Sequence, residues 1–138
     1  MNDAQQDVVG KTEAPELPRG ELVLRTVAMP ADTNPSGDIF GGWLLSQMDL
    51  AGGMMAKAVA KGRTATVAVD SMVFHRPVHV GDIVCCYAEI ARRGKTSVTV
   101  HIQAWAVQAT TGEGHKVTEG DFVFVALDED RRPRPLPQ

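Results

Sequence analysis

One long segment of the chain carries the hydrophobic period of a helix. From Leu44 to Val59, apolar residues recur at spacings of three and four, which places them on one helical face. Other apolar residues fill much of the remaining circumference, so we expect this helix to be buried on most sides. Gly52 and Gly53 lie in its middle, where each costs about 1 kcal/mol relative to alanine. That cost indicates that another backbone approaches closely there.

Five further segments have the alternation or the β-branched content of strands. They are residues 22–29, 64–74, 82–93, 96–107 and 121–128. The fourth alternates most regularly, with Val98 and Ile102 on one face and His101 and Trp105 on the other. Consecutive strands joined by short turns predict antiparallel pairing. One helix with five strands therefore predicts an α+β fold in which a curved sheet wraps around the helix.

Polar segments with prolines flank this patterned region. Residues 1–20 contain acidic residues and prolines and are predicted to form a flexible N-terminal segment. Residues 129–138 combine prolines with mixed charge and are predicted to form a disordered or extended tail. The single expected domain spans residues 21–128.

Charge and composition argue against several classes of protein. The net charge of -3 argues against a nucleic-acid-binding protein, and no apolar stretch reaches the length of about 18 residues that a membrane span needs. The N-terminus lacks the apolar region of a signal peptide, which favours a cytoplasmic location. Cys85 and Cys86 are neighbours, so we interpret both as ordinary strand residues. His75 and His79 are separated by a proline, and no metal site is expected.

The loop before the helix, NPSGDIFGGW at residues 34–43, combines glycines with one carboxylate. The amides of Phe40 to Gly42 begin the helix and lack intrahelical partners, so they point toward incoming negative charge. This geometry suits the oxyanion of an acyl-transfer intermediate. Asp38 is then a general base or a nucleophile. On the residues alone, the interpretation of Asp38 as a helix-entry residue, with the glycines needed for the turn, is favoured.

A family resemblance adds to this motif. The stretch NPSGDIFGGWLLSQMD, then GRTATVAVDSMVFHRPVHVGDIVCCYAEI and RRGKTSV, resembles the hotdog-fold acyl-CoA thioesterases of the bacterial YciA-type branch. The likeness runs over residues 22–128. It implies a hotdog fold, with a long central helix wrapped by a five- to six-stranded antiparallel sheet. It also implies homodimers joined edge to edge, often as trimers of dimers, with the active site at the dimer interface.

The resemblance implies roles for individual residues. Asp38 matches the catalytic carboxylate, and Phe40, Gly41 and Gly42 match the element that polarises the carbonyl group. Asn34 matches an asparagine that shapes the loop or orients water. Coenzyme A enters only as part of the substrate, and no separate cofactor is implied.

The phosphates of coenzyme A need cationic and hydroxyl partners. The turn RRGKTS offers them and resembles the family's nucleotide-binding segment, although such a turn is also typical of a solvated hairpin tip. The candidate residues for binding coenzyme A are Arg93, Lys95, Thr96 and Ser97, with Arg76 and Arg63 as weaker candidates.

Alternatives remain at several positions. Asp49, on the helix, is a rival base or an interface residue, and Asp70 is similarly ambiguous. His101 and His115 are interpreted as solvated. A hotdog dehydratase or hydratase would pair a histidine with an acid, and no histidine lies beside the GDIFGG loop. A non-catalytic acyl-CoA-binding protein would keep the coenzyme A contacts without needing Asp38.

Overall fold

The computed structural model describes residues 15–138. Its regular elements are β1 (Glu21–Val27), a short 3-10 turn (Pro30–Asp32), α1 (Gly41–Ala60), β2 (Thr64–Val69), β3 (Ile83–Arg93), β4 (Ser97–Val107) and β5 (Gly114–Ala126). The five strands form one sheet in the order β1-β3-β4-β5-β2, and every neighbouring pair is antiparallel. The predicted α+β architecture is confirmed.

The core lies between α1 and the inner face of the sheet. On β4 the predicted alternation is confirmed, because its inward residues are all buried: Val98, Val100, Ile102, Ala104 and Ala106. From β5, Phe122 and Phe124 stack with their ring centroids 6.5 Å apart. Each large apolar side chain buried in this way stabilises the fold by about 1.5–3 kcal/mol. Cys85 and Cys86 on β3 are free thiols buried within the protein.

Two predictions about the helix were wrong. α1 is not buried on most sides, because a single sheet covers only one side and leaves Leu50 57% exposed and Met54 49% exposed. The close approach at Gly52 is made by side chains rather than by a backbone. A Cβ atom there would lie 2.5 Å from Cδ1 of Ile102 and 3.0 Å from the ring of Phe124. At Gly53 the nearest atom is 3.8 Å away, which is ordinary contact.

Two strand boundaries differ from the prediction by more than two residues. β2 ends at Val69 instead of continuing to residue 74. Beyond it the chain follows β5 through separate bonds, from the Asp70 amide to the Asp121 carbonyl and from the Thr118 hydroxyl to the Val73 carbonyl. β5 begins at Gly114, seven residues before the predicted start. Its first half is polar, yet the length of β4 provides it with a pairing partner.

The outer face of the sheet carries a polar cluster instead of solvated side chains. His101 lies between two carboxylates, with Nδ1 2.7 Å from Asp121 and Nε2 2.9 Å from Glu119. The prediction that His101 is solvated is therefore wrong. The prediction for His115 is also wrong, since it lies on β5 and its Nε2 is buried without a hydrogen-bond partner among the described residues.

The two flanking segments contact the domain where the structure describes them. The amide of Arg19 donates to Gln103 at 3.0 Å, and Lys116 donates to Glu16 at 2.6 Å, so residues 15–20 cross the outer face. Residues 1–14, the rest of the predicted flexible segment, lie outside the described residues. The tail after residue 128 runs back along the sheet, and Leu136 is only 8% exposed. No helix within residues 15–138 is long and apolar enough to span a membrane.

Candidate active site

The loop before α1 is organised by Asn34. Its side-chain oxygen accepts hydrogen bonds from the amides of Ser36, at 2.9 Å, and Asp38, at 3.1 Å. Its own amide donates to the Asp38 carbonyl at 2.7 Å. Gly37 has φ +85, a left-handed conformation that glycine adopts without strain. Asn34 thus shapes the turn that carries Asp38.

The start of α1 exposes backbone donors. Phe40 is the N-cap residue in an extended conformation, and it makes no side-chain capping bond. The amides of Trp43 and Leu44 reach the Phe40 carbonyl, whereas those of Gly41 and Gly42 have no recorded acceptor in residues 15–138. No acidic residue lies in the first helical turn. The helix therefore begins with two free N–H groups at the positive end of its dipole.

Asp38 lies two residues before the N-cap residue Phe40. Its side chain is exposed, and within the described residues no hydrogen bond to its carboxylate is recorded. The tight turn therefore presents a carboxylate and two backbone donors on the same short segment. This combination can hold a carbonyl oxygen and act on the carbon attached to it.

A mostly apolar cavity of about 280 Å³ adjoins the helix start. Phe40 and Gly41 form one wall, and Phe74 lies across from them. Val117 of β5 and Arg76 also contribute to its lining. Such a cavity can accept an apolar group attached to the carbonyl.

The hairpin between β3 and β4 lies at the other end of the sheet. β4 runs for 11 residues from Ser97 toward the helix start, a length of about 36 Å at the usual rise of a strand. Within one chain, the structure thus brings together Asn34, Asp38, Phe40, Gly41 and Gly42, with Arg76 nearby. It does not bring Arg93, Lys95, Thr96 or Ser97 to them.

Asp49 is separated from Asp38 by the first turns of α1. Its carboxylate accepts a hydrogen bond from the Thr66 hydroxyl at 2.6 Å, which ties the helix to β2. Asp70 is exposed just after β2. No cluster of three potential metal ligands occurs in the described part of the chain, and the expectation that no metal takes part stays a prediction.

The sequence did not predict the ionised cluster around His101. The hydrogen bond from Lys116 is the main cause that lowers the pKa of Glu119 to about 2. The same contact raises the pKa of Lys116. Both ring nitrogens of His101 can donate to the neighbouring carboxylates only when the imidazole is protonated. Glu119 and Asp121 are two residues apart, so on one strand they would lie on the same face. The predicted strand began at residue 121 and therefore did not include Glu119.

Comparison with known proteins decides the family. The sequence model of the thioesterase superfamily matches residues 36–113, which include Asp38, the helix α1 and the strands β2, β3 and β4. This chain belongs to the thioesterase superfamily. The acyl-CoA thioester hydrolase YciA of Salmonella typhimurium is 54% identical over 129 residues, covering 91% of this chain and 97% of that protein. YciA of Escherichia coli is 53% identical over 124 residues, covering 88% of this chain and 94% of the relative.

Solved structures of thioesterases share the fold. HI0827, a hexameric broad-specificity acyl-coenzyme A thioesterase, is 46% identical with a TM-score of 0.86, covering 89% of this chain and 85% of its own. The hexameric thioesterase y2039 from Yersinia pestis is 54% identical with a TM-score of 0.84, covering 88% of this chain and 99% of the y2039 chain. The Campylobacter jejuni neighbour is described as a hotdog-fold thioesterase. This thioesterase therefore has the hotdog fold that the family resemblance implied.

Proposed function

We propose that this thioesterase hydrolyses fatty acyl-CoA to the free acid and coenzyme A. The observation that carries the proposal is the exposed Asp38 carboxylate beside the free amides of Gly41 and Gly42. The names of its relatives support the substrate class, since they include acyl-CoA thioester hydrolases over most of the chain length.

In the proposed reaction, the amides of Gly41 and Gly42 donate to the thioester carbonyl oxygen. As the carbon becomes tetrahedral, these donors and the helix dipole stabilise the negative charge that develops on the oxygen. Asp38 either removes a proton from an attacking water or attacks the carbon itself to form an anhydride that water then opens. In both routes the carbon–sulfur bond breaks, and coenzyme A leaves as a thiolate that takes up a proton.

The acyl chain is proposed to enter the cavity beside Phe40. The apolar side chains of Phe74 and Val117 suit a hydrocarbon, and the cavity begins next to the Gly41 amide that would hold the carbonyl. Arg76 also lines this cavity, and its guanidinium suits a phosphate of coenzyme A.

The proposed enzyme is a dimer or a larger assembly. β2 is an edge strand with Val67 58% exposed, and beside it Leu50 and Met54 leave an apolar helix face open. An exposed apolar edge favours pairing with another chain. In an antiparallel pair of β2 strands, the partner's sheet would run in the opposite direction to the sheet of the first chain. This pairing would bring the partner's hairpin end toward the helix start of the first chain, where the hairpin would hold the nucleotide end of coenzyme A.

Some expectations about partners stay predictions. The relatives HI0827 and y2039 are hexameric, and by analogy we infer a trimer of dimers here. Neither a nucleic-acid partner nor a separate cofactor is expected.

A free-thiol assay with a panel of acyl-CoA substrates tests the proposal. Asp38→Asn keeps the size of the side chain and removes its charge, and we expect kcat to fall about 10²–10⁴-fold while coenzyme A still binds. Asp49→Asn is the matched control at the acid within α1 and should retain activity. If the wild-type protein binds acyl-CoA without releasing thiol, it is a binding protein and the proposed hydrolysis is wrong.

A single turnover in oxygen-18 water separates the two roles of Asp38. Label in the Asp38 carboxylate identifies the anhydride route, because water must then have attacked the Asp38 carbonyl of the anhydride. A general-base route, like attack of water on the acyl carbon of an anhydride, leaves that carboxylate unlabelled and places the label in the released acid. Mass spectrometry of the peptide that contains Asp38 gives the answer.

A further inference from the structure

The chain reverses direction after β5 through a turn built on Asp128. Its side-chain oxygen accepts hydrogen bonds from the amides of Asp130, at 2.8 Å, and Arg132, at 2.9 Å. An isolated bridge between Leu127 and Pro133 closes the turn. The following residues, 134–137, are therefore sent back toward the end of the sheet that carries the β3–β4 hairpin. We call residues 134–137 the return segment.

The return segment is fixed to the body of the protein at two places. The Arg134 guanidinium donates to the carbonyls of Ala60 and Leu127, both at 2.9 Å. Two residues later, Leu136 is buried in the hydrophobic core. Because one anchor is polar and the other apolar, the backbone between and beyond them has a defined position.

From this position the return segment holds both sides of the hairpin tip. The amide of Leu136 donates to the Lys95 carbonyl at 2.9 Å. The Arg93 guanidinium donates to the Pro137 carbonyl, also at 2.9 Å. The sheet itself contacts the tip through the Ala126 amide, which donates to the Thr96 carbonyl at 2.9 Å. Arg93, Gly94 and Lys95 are all exposed.

The hairpin carries like charges close together. Arg92, Arg93 and Lys95 lie within four positions, and their mutual repulsion and rotamer freedom oppose any single arrangement. A phosphate binds best where the donors already point toward it. The Pro137 carbonyl takes one N–H of the Arg93 fork and leaves the other donors free in a fixed orientation.

We propose that the return segment positions the hairpin Arg93–Ser97 to bind the phosphates at the nucleotide end of coenzyme A, an inference that rests on the proposed function. Leu136 is the positioning residue, and it acts through the Lys95 backbone without touching the substrate. The segment contributes to substrate affinity and takes no part in the chemical step at Asp38.

The test compares two substrates with the same acyl group in Leu136→Ala. Acyl-CoA carries the nucleotide phosphates, whereas acyl-pantetheine lacks them. We expect KM for acyl-CoA to rise about tenfold, the effect of one charged hydrogen bond, with kcat unchanged. Both constants for acyl-pantetheine should stay the same. Pro135→Ala is the matched control, because its exposed side chain takes no part in the contacts with the hairpin.

A binding measurement keeps the inference independent of catalysis and of folding. Adenosine 3′,5′-bisphosphate should bind about tenfold more weakly to Leu136→Ala than to Pro135→Ala by calorimetry, at a temperature where both variants give the wild-type circular dichroism spectrum. A deletion of residues 135–138, which keeps Arg134, should behave as Leu136→Ala does.

The outcomes separate the two proposals. Equal changes in KM for the two thioesters, or unchanged binding of the bisphosphate, overturn the positioning role while hydrolysis by the wild-type protein stands. Failure of the wild-type protein to hydrolyse either thioester overturns the proposed function, and the bisphosphate measurement still decides whether the return segment positions an anion site.

Discussion

The two ends of α1 are built in opposite ways. At its start, Phe40 supplies no side-chain cap, and the amides of Gly41 and Gly42 have no recorded acceptor in the described chain. At its end, Lys61 adopts a left-handed conformation with φ 55, and the Gly62 amide donates to the Lys57 carbonyl. The Arg134 guanidinium then satisfies the carbonyl of Ala60.

This difference separates function from stability along one helix. Unpaired backbone groups at a helix end cost free energy, so most helices satisfy them with caps. The C-terminal end follows that rule, using a left-handed residue and a cation that also complements the dipole. The N-terminal end departs from it next to an exposed carboxylate and an apolar cavity. Such a departure is expected where a ligand supplies the missing acceptor.

Replacement of Gly41 by proline should remove one backbone donor from the start of α1 without unfolding the helix. Proline is favoured at the first helical position, and the extended conformation of Phe40, with ψ 151, is compatible with a following proline. The substitution removes one proposed oxyanion donor, so we expect kcat for acyl-CoA to fall about 10²–10³-fold. The thiol-release assay measures kcat, and thermal unfolding should give an unchanged Tm.

Gly41→Ala is the control at the same position. It keeps the N–H group, and its Cβ would lie 3.4 Å from the Phe74 ring, an ordinary contact. Equal activity of the proline and alanine variants would show that this amide does not serve the reaction.

The middle of α1 offers a test of stability that touches neither end. Gly52→Ala should lower the free energy of unfolding by about 1–3 kcal/mol, because its Cβ would collide with Ile102 and Phe124. Gly53→Ala, one residue away, has room for its Cβ and should raise it by up to about 1 kcal/mol. Urea unfolding of the pair measures both, and a stabilised Gly52→Ala would mean that the packing described here is wrong.

Removal of the C-terminal cap should cost stability and leave the donors at the start of α1 in place. Arg134→Ala leaves the Ala60 carbonyl without its partner, and we expect a loss of about 1–3 kcal/mol. Arg134→Lys keeps the favourable charge near the helix end and should lose less. Chemical unfolding compares the variants, and identical stability for all three proteins would contradict a capping role.

Acidification should remove the stabilising charge of Glu119 only at low pH. The folded-state pKa of Glu119 is about 2, lowered from 4.5 chiefly by the hydrogen bond from Lys116. Its contribution to stability is therefore complete above 4.5 and is lost as the pH falls toward 2. Glu119→Gln should flatten this part of the stability profile in urea titrations. A stability profile below pH 4.5 that is the same in this variant and in the wild-type protein would contradict this role of Glu119.

The sequence predicted the parts of the fold that rest on local patterns. The helical spacing of apolar residues predicted α1, and the alternation of apolar and polar residues predicted β4. The GDIFGG motif predicted that Asp38 lies near the helix start. The start of β5 was missed because residues 114–120 are polar, and only pairing with β4 makes them a strand. The return segment was missed for a similar reason. Proline-rich composition predicts no regular element, while burial of Leu136 depends on distant residues.

The candidate site was predicted only in part. Asp38, Asn34 and the glycines are neighbours along the chain, so their proximity follows from sequence. The distance from the loop before α1 to Lys95 depends on which end of the sheet the loop and the β3–β4 hairpin occupy. A local sequence pattern does not predict this arrangement. Residues that another copy of the chain would supply are beyond any local argument.

The burial of the two thiols has a practical consequence for a protein proposed to release a thiol. Cys86 is fully buried, and burial raises its pKa to about 12, so its sulfur is neither accessible nor ionised at neutral pH. Mixed disulfides between the folded protein and liberated coenzyme A are thereby disfavoured at this position. Colour developed by a thiol reagent during turnover should report product, with little background from the catalyst itself.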